Sequence, residues 1–311
     1  MIQKQKPELV TTAANVVEVE RMFLAGADAV SIGHERFALR QPGSFEPKEL
    51  AEAKKIAQSH GGKLYVVVNA LLHHDEVSDL QDYLKELVAL QTDAIVFGDP
   101  AVLMTARQAA PGIPLHWNTE TTSTNYRTVN YWAAKGATRA ILARELSLEA
   151  VLAIKRNTDI EVQAQVHGMT CIFHSKRELV SNYMRHQGKD PVQELHHQAR
   201  SMFVKEDNRD EQQYPIFEDR HGTNIMSAED ICMLEHLPTM MQGGIDVFKI
   251  EGILKPVSYN ETVVSIYRQA IDRLAEDPVA GIDPQWLQQI SQIQDKDRPL
   301  GTGFYFKQQI Y

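Results

Sequence analysis

Short β-branched runs alternate along this chain with longer segments whose apolar residues recur at helical spacing. The first runs are Glu8-Leu-Val-Thr-Thr12 and Asp28-Ala-Val-Ser-Ile32, and an alternation of this kind predicts a parallel sheet with helices between its strands. Further strands are expected at Lys63–Val68, Asp93–Phe97, Ile113–Trp117, Thr138–Leu142, Ile160–Val166 and Asp246–Ile250. Gly26-Ala-Asp28 and Gly136-Ala-Thr138 stand just before strands, where glycine ends the preceding helix in a left-handed turn, and Gly243-Gly244 repeats the punctuation. Eight strands and no G-x-G-x-x-G or phosphate-loop motif favour a closed α/β architecture, a single (β/α)8 TIM-like barrel, over an open doubly wound sheet.

One connection breaks the rhythm. Almost eighty residues separate His167 from Asp246, so the barrel at 1–276 is expected to carry a loop and helical insertion at 168–245. That insertion contains a basic stretch, Ser175 to Arg200, a polar stretch, Lys205 to Gln213, and an amphipathic helix over Ala228–Gln242. Long connections after barrel strands are usually lids or partner surfaces. A helix over Tyr259–Ala275 closes the barrel, and 277–311 form a C-terminal extension in which Gly301-Thr-Gly-Phe-Tyr-Phe306 reads as an added ordered element.

Composition supports a folded core: 43% of residues are hydrophobic and 23% charged. A net charge of -9 provides no general attraction to nucleic acid or anionic membrane, so any RNA contact must use a local basic patch. Two cysteines, Cys171 and Cys232, cannot form a dense disulfide framework. The first ten residues lack the apolar core of a signal peptide and no apolar run reaches spanning length. The expectation is a cytoplasmic protein without a membrane partner.

If the strands are right, the residues just past their ends share one mouth, where barrels place their sites. These residues are Asn15, His34, Asn69, Asp99, Asn118, Glu120, Arg144, Glu145, His167 and Glu251. His167 is expected as an acid, a base or a ligand, against the plain alternative of a hydrogen-bonded histidine at a strand end. Glu251 suits a general base, and Lys249, two residues earlier, shares its face; a structural Lys–Glu pair is the alternative. Arg144 offers a planar fork for carboxylate or phosphate, with Arg40 as a second anion ligand, although a solvated surface role competes for Arg40. Glu145 is either a catalytic neighbour of Arg144 or simply the start of a helix. His34-Glu35 lacks the second histidine of H-E-x-x-H, and Cys232, Glu235 and His236 share only a weak helical spacing, so no metal ligands are assigned.

Val166-His-Gly-Met-Thr-Cys171, followed by Ser175 and Leu179-Val-Ser-Asn-Tyr183, resembles the signature region of the collagenase-like peptidases of unassigned catalytic type. Phe37 to Arg40, Thr119 with Asn125, Leu142 to Ser147, Asp230 to Pro238 and Phe248 to Gly252 resemble further segments of that family. Taken together, Arg144, Arg40, Asn69, Asp99, Glu120 and Asn125 are expected to contact substrate, with His167, Glu251, Lys249 and Glu145 in catalysis. The resemblance implies RNA-base or ubiquinone-precursor hydroxylation, with prephenate as a co-substrate and tRNA as a partner. Many such proteins hold an iron–sulfur cluster on four cysteines. Here Cys171 and Cys232 match the first and last, and Glu178 stands where the second would be, so no cluster is expected from this chain alone.

That departure is similar to the short, cluster-lacking branch found in a Gram-positive pair that hydroxylates tRNA wobble uridine to 5-hydroxyuridine. It implies a cluster-bearing paralogue as partner; a homo-oligomer stays open. The other readings are a peptidase, metal-dependent through His167, and an assembly subunit without catalysis.

Overall fold

The computed structural model describes residues 6–118, 124–189, 202–207 and 209–307, with the side chains of 209–211 outside that description. The chain opens with β1 (Glu8–Thr12), α1 (Val16–Leu24), β2 (Ala29–Ile32), α2 (Pro47–Ser59), β3 (Lys63–Val68), α3 (Val77–Ala89), β4 (Ala94–Phe97) and α4 (Pro100–Ala109). It continues with β5 (Leu115–Asn118), α5 (Tyr126–Ala134), β6 (Ala137–Ile141), α6 (Leu148–Arg156) and β7 (Glu161–Gly168). The long insertion then supplies β8 (Cys171–Ser175), α7 (Leu179–His186), β9 (Phe203–Glu206), β10 (Arg209–Asp219), β11 (Gly222–Met226), β12 (Asp230–Cys232) and α8 (Leu237–Gln242). The remaining elements are β13 (Val247–Glu251), α9 (Val257–Glu276), α10 (Pro284–Ile293) and β14 (Leu300–Gly301).

β1 to β7 and β13 pair in parallel, and β13 closes on both β1 and β7, so the expected eight-stranded barrel is present. Strand parity divides the apolar residues into two separate cores. Leu9, Val30, Val66, Ile95, Val162 and Phe248 pack outward against the helices. Val10, Ala29, Tyr65, Val67, Val96 and Val247 fill the lumen.

A recurrent aspartate sets the start of several strands. Asp28, Asp93 and Asp246 accept from the backbone N–H of Leu9, Leu64 and Val162 on the neighbouring strands, each at 2.7 Å. Each also meets a cation from the helix layer: Arg268 at 2.9 Å, Lys54 at 2.6 Å and Lys155 at 2.6 Å. Gly26, Gly136 and Gly244, just before β2, β6 and β13, have φ of +104°, +96° and +82°, the left-handed turns expected of them.

Among its described residues the insertion has more strand than helix. Strands β8, β11, β10 and β9 form an antiparallel sheet, with β8 entering directly from the end of β7. The single helix expected over Ala228–Gln242 is corrected: Ile231 and Cys232 pair with Gly168 and His167 as strand β12, and α-helix begins only at Leu237, where Pro238 occupies the first turn. The C-terminal extension returns to the barrel. β14 pairs with β12, the Tyr305 hydroxyl donates to Gln165 O at 2.7 Å, and Phe304 is thereby held over the mouth. Among the described residues no helix is long and apolar enough to cross a membrane.

Candidate active site at the barrel mouth

Glu251 ends β13 on the lumen side, and its carboxylate is almost wholly buried. Lys249, two residues back on the same face, places Nζ 3.0 Å from Glu251 Oε2, and Arg144 Nη2 reaches the same oxygen at 3.7 Å. The other oxygen accepts from the Thr12 hydroxyl at 3.5 Å and from the Ile253 N–H at 3.4 Å. Arg40 joins them in the lining of this inner chamber, so the chamber carries three cations, two of them paired with Glu251. The Arg40 backbone is held at φ +51°, an unusual conformation for a long side chain and one that recurs at binding sites.

The inner chamber has about 20 Å³ of free space, room for a water molecule and no more. Above it opens an outer chamber of about 330 Å³, within the usual size for small-ligand sites. Arg40 and Arg144 line both chambers and so form the floor between them. Glu145, Phe173, His174 and Phe304 contribute to the outer walls. Partial burial and the charge of Arg40 hold His174 below its ordinary pKa, opposed by its contact with His221 O at 3.1 Å.

His167 does not reach either chamber. Pairing between β7 and β13 runs Gln163 to Val247, Ala164 to Phe248 and Gln165 to Lys249, then slips so that His167 meets Ile250. The extra residue in β7 is a bulge that reverses side-chain parity and turns the ring away from the lumen. His167 Nε2 lies 2.8 Å from the Tyr259 hydroxyl, and Nδ1 lies 3.4 Å from that of Tyr267, both on α9. Complete burial lowers its pKa to about 4 and keeps the ring neutral. After the same slip Gly168 faces β13 at φ +97°, and a Cβ there would sit 2.1 Å from Glu251 O. The Val-His-Gly run therefore locks two strands together.

The other expected residues divide into chamber walls and backbone anchors. Asn69 and Asn118 line the inner chamber, and Asn69 Oδ1 also accepts from Leu39 N at 2.8 Å, steadying the turn that carries Arg40. Asp99 caps α4 through Ala101 N at 2.8 Å and holds Leu72 N at 3.1 Å. Asn15 and Asn125 cap α1 and α5 through Glu18 N at 3.0 Å and Thr128 N at 3.1 Å. His34 accepts from Arg36 N at 3.1 Å and pairs with Glu46 at 3.4 Å. Glu120 lies outside the described residues. Ser31, Tyr65 and Gln163 line the inner chamber without having been anticipated, although the alternation Glu-Val-Gln-Ala-Gln in β7 marks its glutamines as one polar face.

The two cysteines pack in different apolar clusters. Cys232 packs with the outward core, 3.8 Å from the Tyr267 hydroxyl, and burial pushes its thiol pKa up. Cys171 packs with Met169 and Met226, its thiol directed to Phe173 O at 3.2 Å. Among the described residues no three His, Cys, Asp or Glu side chains come together as a metal site.

Residues 14–310 match the family described as Peptidase family U32. The chain belongs to that family. It is 45% identical to tRNA hydroxylation protein P2 of Bacillus subtilis (strain 168), over 99% of this chain and 100% of that one. Identity to tRNA hydroxylation protein P1 of the same organism is 32%, over 97% of this chain and 71% of the relative. The 23S rRNA 5-hydroxycytidine C2501 synthase of Escherichia coli (strain K12) is 27% identical, over 89% of this chain and 41% of that enzyme. The solved structure of the U32 peptidase Mk0906 superposes with a TM-score of 0.51 at 14% identity, over 79% of this chain and 92% of that one, which supports the fold. The U32 family is thus built here on a barrel whose mouth is polar and cationic.

Proposed function

We propose that this chain is a component of tRNA hydroxylation, acting at the wobble uridine to give 5-hydroxyuridine together with a cluster-bearing paralogue. The end-to-end identity with tRNA hydroxylation protein P2 carries this reading, since 45% extends over the whole of both chains. The mouth supports it. A floor carrying Arg40 and Arg144 suits a small carboxylated co-substrate of the prephenate kind, whose carboxylates would set against the two guanidinium groups from the outer chamber. Lys249 and Glu251, paired at 3.0 Å behind that floor, would hold a proton and pass it toward the outer chamber through the one water that the inner chamber admits. His167 acts as a positioning residue, fixing β7 against α9.

Complementation tests the proposal. A Bacillus subtilis strain lacking P2 should recover hydroxylated wobble uridine, read by mass spectrometry of digested tRNA, when this chain is expressed. Failure to recover it with soluble protein and P1 present would overturn the reading. Recovery that survives Glu251→Gln would instead identify a subunit needed for assembly.

A further inference from the structure

We infer that the outer chamber is the slot for a single pyrimidine base turned out of an RNA loop, stacked on Phe173 and Phe304. This rests on the RNA-hydroxylation reading and names the part of the mouth that meets the RNA.

Size decides first between the two chambers. A base cannot enter about 20 Å³, whereas about 330 Å³ accepts one with room for a small co-substrate on the floor. A base stacked within a loop or duplex cannot enter a recessed chamber, so the nucleotide must be displaced into it.

The walls then specify what enters. Phe173 comes from the insertion strand β8 and Phe304 from the turn after β14, so both additions to the barrel converge on one opening. Phe173 and Phe304 remain 44% and 36% exposed, and neighbouring Ile172 45%, in a chamber whose floor is cationic. Apolar rings beside guanidinium groups suit a flat aromatic ligand attached to an anionic chain, which describes a nucleotide. Arg144 and Glu145 add donors for ring carbonyls and an acceptor for a ring N–H, the groups on the edge of uracil. An adjoining groove shares Thr170, Ile172 and Phe304 with the slot and gives the flanking nucleotides a path outward.

The test uses the full chain and a synthetic RNA stem-loop with a fluorescent pyrimidine analogue at the first anticodon position. Binding should change the analogue's emission through stacking, and Phe173→Ala with Phe304→Ala should abolish most of that change and weaken binding roughly tenfold or more. Phe173→Tyr with Phe304→Tyr should restore both, and unchanged thermal midpoints would exclude unfolding as the cause. An unaltered emission change in the double alanine protein would overturn the slot. So would alanine variants that bind RNA normally but no longer co-purify with P1, because the rings would then seat the partner. If the wild-type chain complements the strain lacking P2 but produces no emission change, alone or with P1, the slot falls and the functional reading stands.

Discussion

Arg139 lies within β6 and Arg144 three residues past its end, and their surroundings separate the part of the barrel that holds it together from the part that works. Arg139 at the lower end is almost wholly buried, with Glu8 and Glu161 each at 2.8 Å and the Tyr65 hydroxyl at 3.4 Å. Burial works against the charge on Glu8, but the guanidinium, with hydrogen bonds from Lys63 and Tyr65, brings its pKa below the usual carboxylate range. Arg144 at the upper end meets Glu251 only at 3.7 Å and borders open space in the outer chamber. The same residue type thus closes the lumen at one end and offers charge to a ligand at the other, in keeping with the division of labour in barrels.

The largest expected effect breaks the lower end. Arg139→Met leaves Glu8 and Glu161 without their shared partner and should cost about 3–5 kcal/mol in urea unfolding. Arg144→Met should cost far less stability and lose hydroxylation instead. Equal losses of stability from both would end the distinction between the two ends.

Next comes the rear of β7. His167 titrates at an ordinary 6.5 when unfolded and about 4 when folded, so between these values the unfolded chain binds more protons. Stability should therefore fall as pH drops from 6.5 toward 4, by about 3 kcal/mol over the full range. His167→Phe should flatten that slope while the folded protein retains hydroxylation. Lost activity with an unchanged slope would return His167 to the chemistry.

Much of the barrel was legible in advance because burial imposes period two on the strands and the connecting turns carry their own glycines. The mouth was legible at Arg40, Arg144, Lys249 and Glu251, where strand parity ran undisturbed to the end of β13 or the loop led straight back to the lumen. His167, expected at the mouth, faces α9 because a single-residue bulge inverts parity, and nothing in Gln-Val-His-Gly signals which residue is extra. The 228–242 segment was misread for a related reason: helical spacing of its apolar residues was mistaken for a helix when Ile231 and Cys232 are held by pairing with β7, a tertiary contact that periodicity does not encode. Phe173 and Phe304 belong to one chamber only because insertion and tail meet above the barrel.

A smaller effect sharpens the upper end. Glu251→Gln keeps the shape of the side chain and removes the charge between Lys249 and Arg144. Hydroxylation in the complemented strain should fall tenfold to a hundredfold, a barrier change of roughly 1.4–2.7 kcal/mol. A loss of stability as large as that of Arg139→Met would show that Glu251 serves the fold in the way Glu8 does.

The smallest effect concerns Asn125, expected from the family resemblance to touch substrate but found capping α5, with its side-chain oxygen 3.1 Å from Thr128 N. A cap requires only a short side chain with an acceptor, so Asn125→Ser should unfold like the wild type and Asn125→Ala should lose about 1 kcal/mol. Substrate recognition is more demanding, because serine is shorter than asparagine and lacks the amide donors. Asn125→Ser therefore separates the roles. Intact stability with intact tRNA hydroxylation leaves Asn125 as a cap beside the mouth, whereas intact stability with hydroxylation reduced tenfold would extend the ligand-facing end of the barrel to the start of α5.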